Sequence, residues 1–220
     1  MRKTDGQDAE SQKRDTRTRI LVASLLLFNE HGEPNTTTNA IADETDISPG
    51  NLHYHFRKKA DLVEALLDEF QADVRRVLVP PSEETRIEDF WVFLHLLLEV
   101  LAAYRFLLRD METLVGQYPR VRDSLRGFAQ GLTAIVQLYL EGMGRAGNLR
   151  ISDREAGVIS RNLAVIALFS ERFDMLMRNE TNSGVSVMRV ARSVLSVLFP
   201  YAETSIAAFV NELADQYRDK

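Results

Sequence analysis

One stretch in the first third of the chain concentrates small polar, aromatic and imidazole side chains that suit nucleic-acid binding. Ser48 and Asn51 can hydrogen-bond to base edges or to phosphate oxygens. Gly50 lies between them and lets the backbone come close to a duplex. Tyr54 and His55 carry polar tips suited to phosphate oxygens. These residue types at this spacing indicate a surface that binds DNA.

The formal net charge of −5 opposes nucleic-acid binding unless positive charge is concentrated locally. Residues 47–60 contain three basic residues and no acid, and residues 11–29 contain four basic residues against one acid, so each segment has a local charge of +3. Lys59 starts a predicted helix, whose free N–H groups and dipole favour a phosphate. We therefore expect a focused basic patch and strongly salt-dependent DNA binding.

The elements that must position these side chains are two short helices within residues 37–55, crossing at a steep angle. Ser48 is a good N-cap for the second helix, and Pro49 is favoured at its first position. Asp46 lies in the turn and is one of the few non-glycine types that accept a left-handed backbone. Ala42 provides the small residue at the crossing. The inward-facing apolar residues are Ile41, Ile47 and Leu52. This is the pattern of a helix-turn-helix, whose second helix enters the major groove by its N-terminal end.

The rest of the chain is predicted to be helical as well, so the predicted fold class is all-α. Apolar residues recur at helical spacing over most of the 220 residues, and the alternation typical of strands is poor. The polar residues 1–15 are predicted to form a flexible tail. Residues 16–79 form the predicted N-terminal three-helix DNA-binding domain, which ends at Pro80-Pro81. Residues 80–220 form a larger C-terminal helical domain.

The composition also excludes several classes of protein. Cysteine is absent, which removes disulfides, thiolate chemistry and cysteine metal sites. His53 and His55 lie two positions apart on a helix and do not face each other, so we predict no metal site. No glycine-rich phosphate loop or nucleophile motif supports an enzyme, and we expect no cofactor. There is no apolar run of about 18 residues and no signal-peptide core, so we expect a cytoplasmic protein.

Many further positions in residues 19–62 follow one ordered pattern. They are Arg19-Ile20-Leu21, Ala23, Leu27-Phe28, Gly32, Thr37, Ile41-Ala42, Ile47-Ser48, Gly50, Leu52, Tyr54-His55-Phe56, Lys59 and Leu62. In order and spacing this run resembles the DNA-binding domain of the TetR family of bacterial regulators. The resemblance covers about the first third of the chain, and the remainder fits the family only in the number and length of its helices.

The resemblance implies an all-helical protein in which three N-terminal helices bind DNA and a larger C-terminal domain binds a small molecule. It also implies that the last two long helices form a four-helix bundle with a second subunit. The base contacts carried over by position are Ser48, Pro49, Gly50 and Asn51. The phosphate contacts carried over are Thr37, His53, Tyr54, His55 and Lys59. The chain departs from the family at His53, usually Tyr, at Asp46, usually Gly, and at Ala60, usually acidic.

Between positions 90 and 107 the C-terminal domain contains more apolar residues than a helix needs to pack one face against its neighbours. This excess fits either a buried core helix or a helix that lines an apolar ligand cavity. The candidate pocket residues are Trp91, His95, Arg105, Arg109, Tyr139, Phe169 and Arg172. The final helices carry apolar stripes that either a partner subunit or their own domain must cover. The candidate dimer contacts are Val187, Val190, Val194, Leu198, Phe209 and Leu213.

The sequence therefore predicts a dimeric DNA-binding transcriptional regulator, specifically a repressor released by a small, partly apolar ligand. Its expected partners are a palindromic double-stranded DNA operator, an unidentified small molecule and a second copy of the chain. The helix 59–78, which joins the two domains, is the expected lever between ligand and DNA. Two alternatives stay open: a helical ligand carrier or protein-interaction module with a vestigial DNA-binding domain, and an enzyme built on a helical bundle.

Overall fold

A computed structural model of the chain describes residues 4–178 and 187–203. The α-helices are α1 (Thr4–His31), α2 (Thr38–Glu44), α3 (Pro49–His55), α4 (Lys59–Val77), α5 (Ile87–Ala103), α6 (Arg105–Arg109), α7 (Met111–Gln117), α8 (Pro119–Arg145), α9 (Asp153–Arg178) and α10 (Val187–Leu198), followed by a 3-10 helix, Phe199–Tyr201. Within the described ranges the only β-type pairing is a single bridge between Leu149 and Ala202. The predicted all-α class is confirmed.

The first helix begins much earlier than the sequence predicts. We expected a flexible tail over residues 1–15, but α1 is helical from Thr4 onward. The physical reason is local, because residues 7–14 are mostly good helix formers and contain no proline. The helix therefore continues past the point where its apolar stripe ends, and this extension carries basic residues toward α3.

The helix-turn-helix forms as predicted, with each short helix capped by a side chain. Thr37 accepts a hydrogen bond from the backbone N–H of Ala40 at 3.1 Å, and Ser48 accepts one from that of Asn51 at 3.2 Å. Pro49 is the first residue of α3. Asp46 has a φ of 55°, which confirms the left-handed position in the turn. The chain reverses between α2 and α3 here and leaves one end of α3 free.

The long helix α4 connects the two parts of the protein. It packs on α1 in the DNA-binding region and on α5 and α8 beyond it. Phe70 lies at the centre of the second contact, with its ring centroid 5.5 Å from that of Tyr104 and 5.3 Å from that of Phe128. Because one rigid helix contributes to both cores, a displacement of its C-terminal half also moves its N-terminal end.

Beyond the α4–α5 connection, α8 and α9 pack along each other and α10 packs on α9 and α5.

The predicted dimer contacts on α10 are wrong in large part. Val190, Val194 and Leu198 are at most 3% exposed, because they fill the core of their own domain. Val187 is partly buried against the same core. Phe209 and Leu213 lie outside the described residues.

Candidate nucleic-acid interface

The N-terminal end of α3 is exposed to solvent. Ser48, Pro49, Gly50 and Asn51 are all exposed, as the sequence predicts for residues that face bases. On the opposite side, Leu52 is 1% exposed and anchors α3. The helix therefore presents its polar end outward, with its free N–H groups and capping side chains on one surface.

Gly50 has no evident role inside the protein. A Cβ atom built on it meets only the hydroxyl oxygen of Ser48, at an ordinary 3.9 Å. By contrast, Gly32 has a φ of +94° and Gly142 would bring a Cβ within 2.8 Å of the Thr85 hydroxyl. Those two glycines are required by the fold. The open space at Gly50 agrees with the predicted close approach of a ligand from outside, and DNA is the ligand suited to this surface.

The predicted phosphate contacts other than Lys59 lie around this end of the protein. Thr37, His53 and Tyr54 are exposed, and His55 is partly exposed. Tyr54 and His55 have their ring centroids 5.3 Å apart, nearly edge to face. The Thr37 hydroxyl accepts the capping bond and keeps its proton for a phosphate oxygen.

Two basic residues of α1 join this surface; they belong to the basic segment 11–29, but the sequence did not indicate them as individual DNA contacts. The Lys13 ammonium lies 4.8 Å from the centroid of the Tyr54 ring, and the Arg17 guanidinium lies 4.8 Å from that of Phe56. Burial and the nearby charges of Lys13 and Arg17 lower the pKa of His55. Lys13 and Arg17 are four residues apart, which places them on one face of a helix. The sequence could have indicated this only if the polar segment had been predicted to be helical.

Lys59 is placed differently from the prediction. Its ammonium donates to the backbone carbonyls of Glu33 and Thr36 at 2.8 and 3.2 Å, and it lies 3.0 Å from the Glu33 carboxylate. An ammonium has three donors, and these three acceptors account for all of them. The geometry therefore does not support Lys59 as a free phosphate contact. Sequence reasoning missed this arrangement because Glu33 lies on a different element.

Two of the predicted pocket residues, Arg105 and Arg109, bind the end of α1. Arg109 donates to the carbonyls of Phe28 and Asn29 at 2.5 and 2.8 Å, and Arg105 donates to that of Asn29 at 2.9 Å. Helix C-termini have unpaired carbonyls and favour cations. These bonds join α6 to the DNA-binding region, so the structure gives the two arginines a role other than the predicted one of orienting a ligand.

The other five predicted pocket residues do not share one cavity either. Tyr139 is packed within the core, with its ring 4.7 Å from that of Phe93. Trp91 and His95 pack against each other on α5, with ring centroids 4.1 Å apart. The exposed Arg172 lies 3.8 Å from Glu112. Of the seven candidate pocket residues, Phe169 alone lines the apolar cavity between α6 and α9.

Phe169 does line a cavity, of about 240 Å³, bounded by α6, α7, α8 and α9. Its wall is mostly apolar, and Arg122 and Arg126 lie at its edge. A larger, open cleft of about 510 Å³ runs between α4 and α8. Phe128 of α8 contributes to both. Among the described residues, no three His, Cys, Asp or Glu side chains are grouped so that they could hold a metal ion.

Comparison with known proteins agrees with this geometry. A family model described as "Bacterial regulatory proteins, tetR family" matches residues 20–66, which contain the helix-turn-helix. A second, described as "Bacterial transcriptional repressor", matches residues 69–209, more than half of the chain. The chain belongs to the TetR family. It therefore contains a DNA-binding domain of the type found in bacterial transcriptional regulators, and the relatives named below are transcriptional regulators.

One solved TetR-family regulator, from Marinobacter aquaeolei VT8, is 30% identical and superimposes with a TM-score of 0.80, covering 92% of this chain and 98% of that one. The regulator UidR of Escherichia coli K12 is 34% identical over 88 residues, 40% of this chain and 44% of the relative. YvkB of Bacillus subtilis is 28% identical over 137 residues, 61% of this chain and 70% of the relative. The match therefore spans less than half the length of UidR. No helix within residues 4–178 and 187–203 has the length and apolarity needed to cross a membrane.

Proposed function

We propose that this TetR-family protein is a dimeric repressor that binds a palindromic operator and is released by a small, partly apolar ligand. The observation that carries the proposal is the exposed N-terminal end of α3. It is flanked by Lys13 and Arg17 and by the candidate phosphate contacts Thr37, His53, Tyr54 and His55. Positive charge is concentrated beside the element that would enter the groove, so an acidic chain can still bind DNA. Because its target is the chromosome, we propose that it acts in the cytoplasm.

The dimer contact that we propose is on α9 and replaces the predicted one on α10. Large apolar side chains are exposed on α9 at helical spacing. They are Val158, Val165, Phe169, Phe173 and Leu176. Phe173 is 62% exposed and Leu176 is 79% exposed. A contiguous exposed stripe of this size is typical of an interaction surface, and a two-fold axis would bury it against its own copy.

The cavity between α6 and α9 is the ligand site that we propose. Its apolar wall suits the apolar part of a small molecule, and Arg126 at its edge has no ion-pair partner among the described residues. A ligand that prefers one arrangement of α8 would change the separation of the two α3 helices. Successive major grooves require a separation of about 34–36 Å, and a typical coupling is about 1–3 kcal/mol.

Selection of bound sequences from random duplex DNA tests DNA binding and dimer symmetry together. We expect a palindromic consensus whose half-sites are about one helical turn apart. The Asn51→Ala variant should then lose about 1–3 kcal/mol of discrimination at one base pair. The matched control is Gln130→Ala, which removes another exposed amide on α8. If no sequence is enriched, and Asn51→Ala binds duplex DNA like Gln130→Ala, the DNA-binding domain is vestigial and the carrier or interaction function takes its place.

A further inference from the structure

A buried carboxylate lies where the DNA-binding helices meet the C-terminal domain. The side chain of Glu33, in the loop between α1 and α2, is 1% exposed. One of its oxygens, Oε1, accepts a hydrogen bond from the Tyr118 hydroxyl at 2.8 Å and lies 3.0 Å from the Lys59 ammonium. The other oxygen, Oε2, is buried and has no hydrogen-bond partner among the described residues. Burying an ion pair and leaving one carboxylate oxygen without a partner are both costly, so this glutamate needs an explanation beyond packing.

The backbone of the same loop is also tied to the C-terminal domain. The N–H of Glu33 donates to the Asp110 carboxylate at 2.8 Å. Asp110 is paired with Arg109, which in turn binds the carbonyls that end α1. The loop is therefore held through its side chain by Tyr118 and through its main chain by Asp110. Both partners lie at ends of helices in the C-terminal domain, at the junctions α6–α7 and α7–α8.

We propose that Glu33 is a positioning residue that fixes the orientation of the helix-turn-helix relative to the C-terminal domain. Its Oε1 atom holds two helix starts together: Lys59 is the first residue of α4, and Tyr118 immediately precedes α8. Lys59 also donates to the carbonyl of Thr36, next to the N-cap of α2. The starts of α4 and α8 therefore meet at one carboxylate group, and Lys59 extends the contact to the residue before the N-cap of α2. This assignment rests on the proposed function, because it concerns how the DNA-binding surface is presented.

The position of Tyr118 makes this contact sensitive to the proposed ligand. Tyr118 precedes α8, and Phe128 in the same helix lines both the cavity and the cleft beside α4. An occupant that shifts α8 along its axis also shifts the Tyr118 hydroxyl. A hydrogen bond of 2.8 Å tolerates little displacement before it weakens. Loss of this bond leaves the Glu33 side chain with Lys59 alone and removes one of the two contacts that tie the loop to the C-terminal domain.

The variant Tyr118→Phe tests the proposal, because it removes one hydroxyl and leaves the ring. Its matched control is Tyr104→Phe. Tyr104 is also buried and also donates to a carboxylate, that of Asp73, at 2.8 Å, but this bond lies toward the far end of α4. The chain has no cysteine, so cysteines introduced at the exposed positions Asp43 and Gln130 carry two labels without background. Labelled chains are diluted into unlabelled chains, so that the label distance within one chain is measured.

We expect Tyr118→Phe to broaden or shift the distance distribution between the two labels, and Tyr104→Phe to leave it unchanged. Affinity for the selected duplex should fall by about tenfold, which corresponds to the lower end of the worth of a hydrogen bond to a charged group. Glu33→Gln keeps an acceptor for Tyr118 but removes the charge. It should change the label distances and the DNA affinity in the same direction as Tyr118→Phe, but by a smaller amount. All measurements are made well below each variant's melting temperature.

The proposal is overturned if Tyr118→Phe and Glu33→Gln change only the melting temperature and match Tyr104→Phe in label distance and DNA affinity. Glu33 would then be a stabilising residue without a positioning role. The distance measurement needs no DNA. A protein that fails to bind any duplex would therefore refute the proposed function, while the label distances would still decide the role of Glu33.

Discussion

Replacing Lys59 by methionine should mainly destabilise the fold. Methionine keeps an unbranched chain of similar length and removes the ammonium. The change leaves the Glu33 carboxylate, 1% exposed, with Tyr118 as its only hydrogen-bond partner among the described residues, and it removes the donor from the carbonyls of Glu33 and Thr36. The Glu33 carboxylate keeps Tyr118 but loses its counter-charge, the Glu33 carbonyl keeps the N–H of Thr36, and the Thr36 carbonyl loses the ammonium donor. The desolvation of these buried acceptors is then less well compensated.

The expected loss can be estimated from the burial of the two partners. Removing one partner of a buried ion pair costs about 3–5 kcal/mol. Lys59 retains 26% of its side-chain exposure, so water reaches part of the site and we expect the lower end of that range. For a chain of this size a loss of about 3 kcal/mol corresponds to a fall in Tm of roughly 6–12 °C. Urea unfolding at fixed protein concentration measures the free energy directly.

Two further variants distinguish a structural role of Lys59 from a role as a phosphate contact. Lys58→Met makes the same substitution at the exposed neighbouring position and should leave the stability nearly unchanged. Glu33→Gln combined with Lys59→Met removes the unpaired buried charge and should recover most of the loss. Lys59→Met could instead have the same free energy of unfolding as the parent protein and lower the slope of log K against log salt concentration by about 0.9 for DNA binding. In that case Lys59 is a phosphate contact, and its proposed structural role with Glu33 is refuted.

Four other predictions follow from single features. Gly50→Ala should keep the parent Tm, because a Cβ there meets nothing closer than 3.9 Å, yet weaken operator binding in a gel-shift assay; unchanged affinity would count against close approach of DNA. Asp46→Gly relaxes a residue at φ 55° and should raise stability by about 1 kcal/mol or less, whereas a fall in Tm would show that the aspartate side chain stabilises the turn. The pKa of His55 is lowered by burial and then by Lys13 and Arg17, so protonation is harder in the folded than in the unfolded protein. The free energy of unfolding should therefore fall as the pH drops below about 6.5, and His55→Gln should make this fall shallower; identical pH profiles would contradict the assignment. Phe173→Glu should give monomers in light scattering, and Val92→Glu, at a similarly exposed valine on α5, should not; a dimeric Phe173→Glu protein would remove α9 from the proposed interface.

The helix-turn-helix was predictable because its determinants are local. The Thr37 and Ser48 caps act over three residues, and the left-handed turn at Asp46 needs only a tolerant residue type. The inward-facing residues Ile41 and Leu52 follow from helical spacing. The same local reasoning failed for the polar start of α1, since it treated the lack of apolar residues as a lack of helix.

What the sequence by itself determined is which short segments fold into the helix-turn-helix and which of their ends carry the candidate DNA-binding side chains. What only the tertiary structure decided is where each long polar side chain finds its partner. Lys59 binds a carbonyl 26 positions away, and Arg109 binds one 80 positions away. The side chains of Val190 and Val194 in α10 could equally have faced a partner subunit or their own core. An amphipathic stripe indicates only that one face must be covered, and long flexible basic side chains reach several candidate partners, so the packing of distant helices makes the choice.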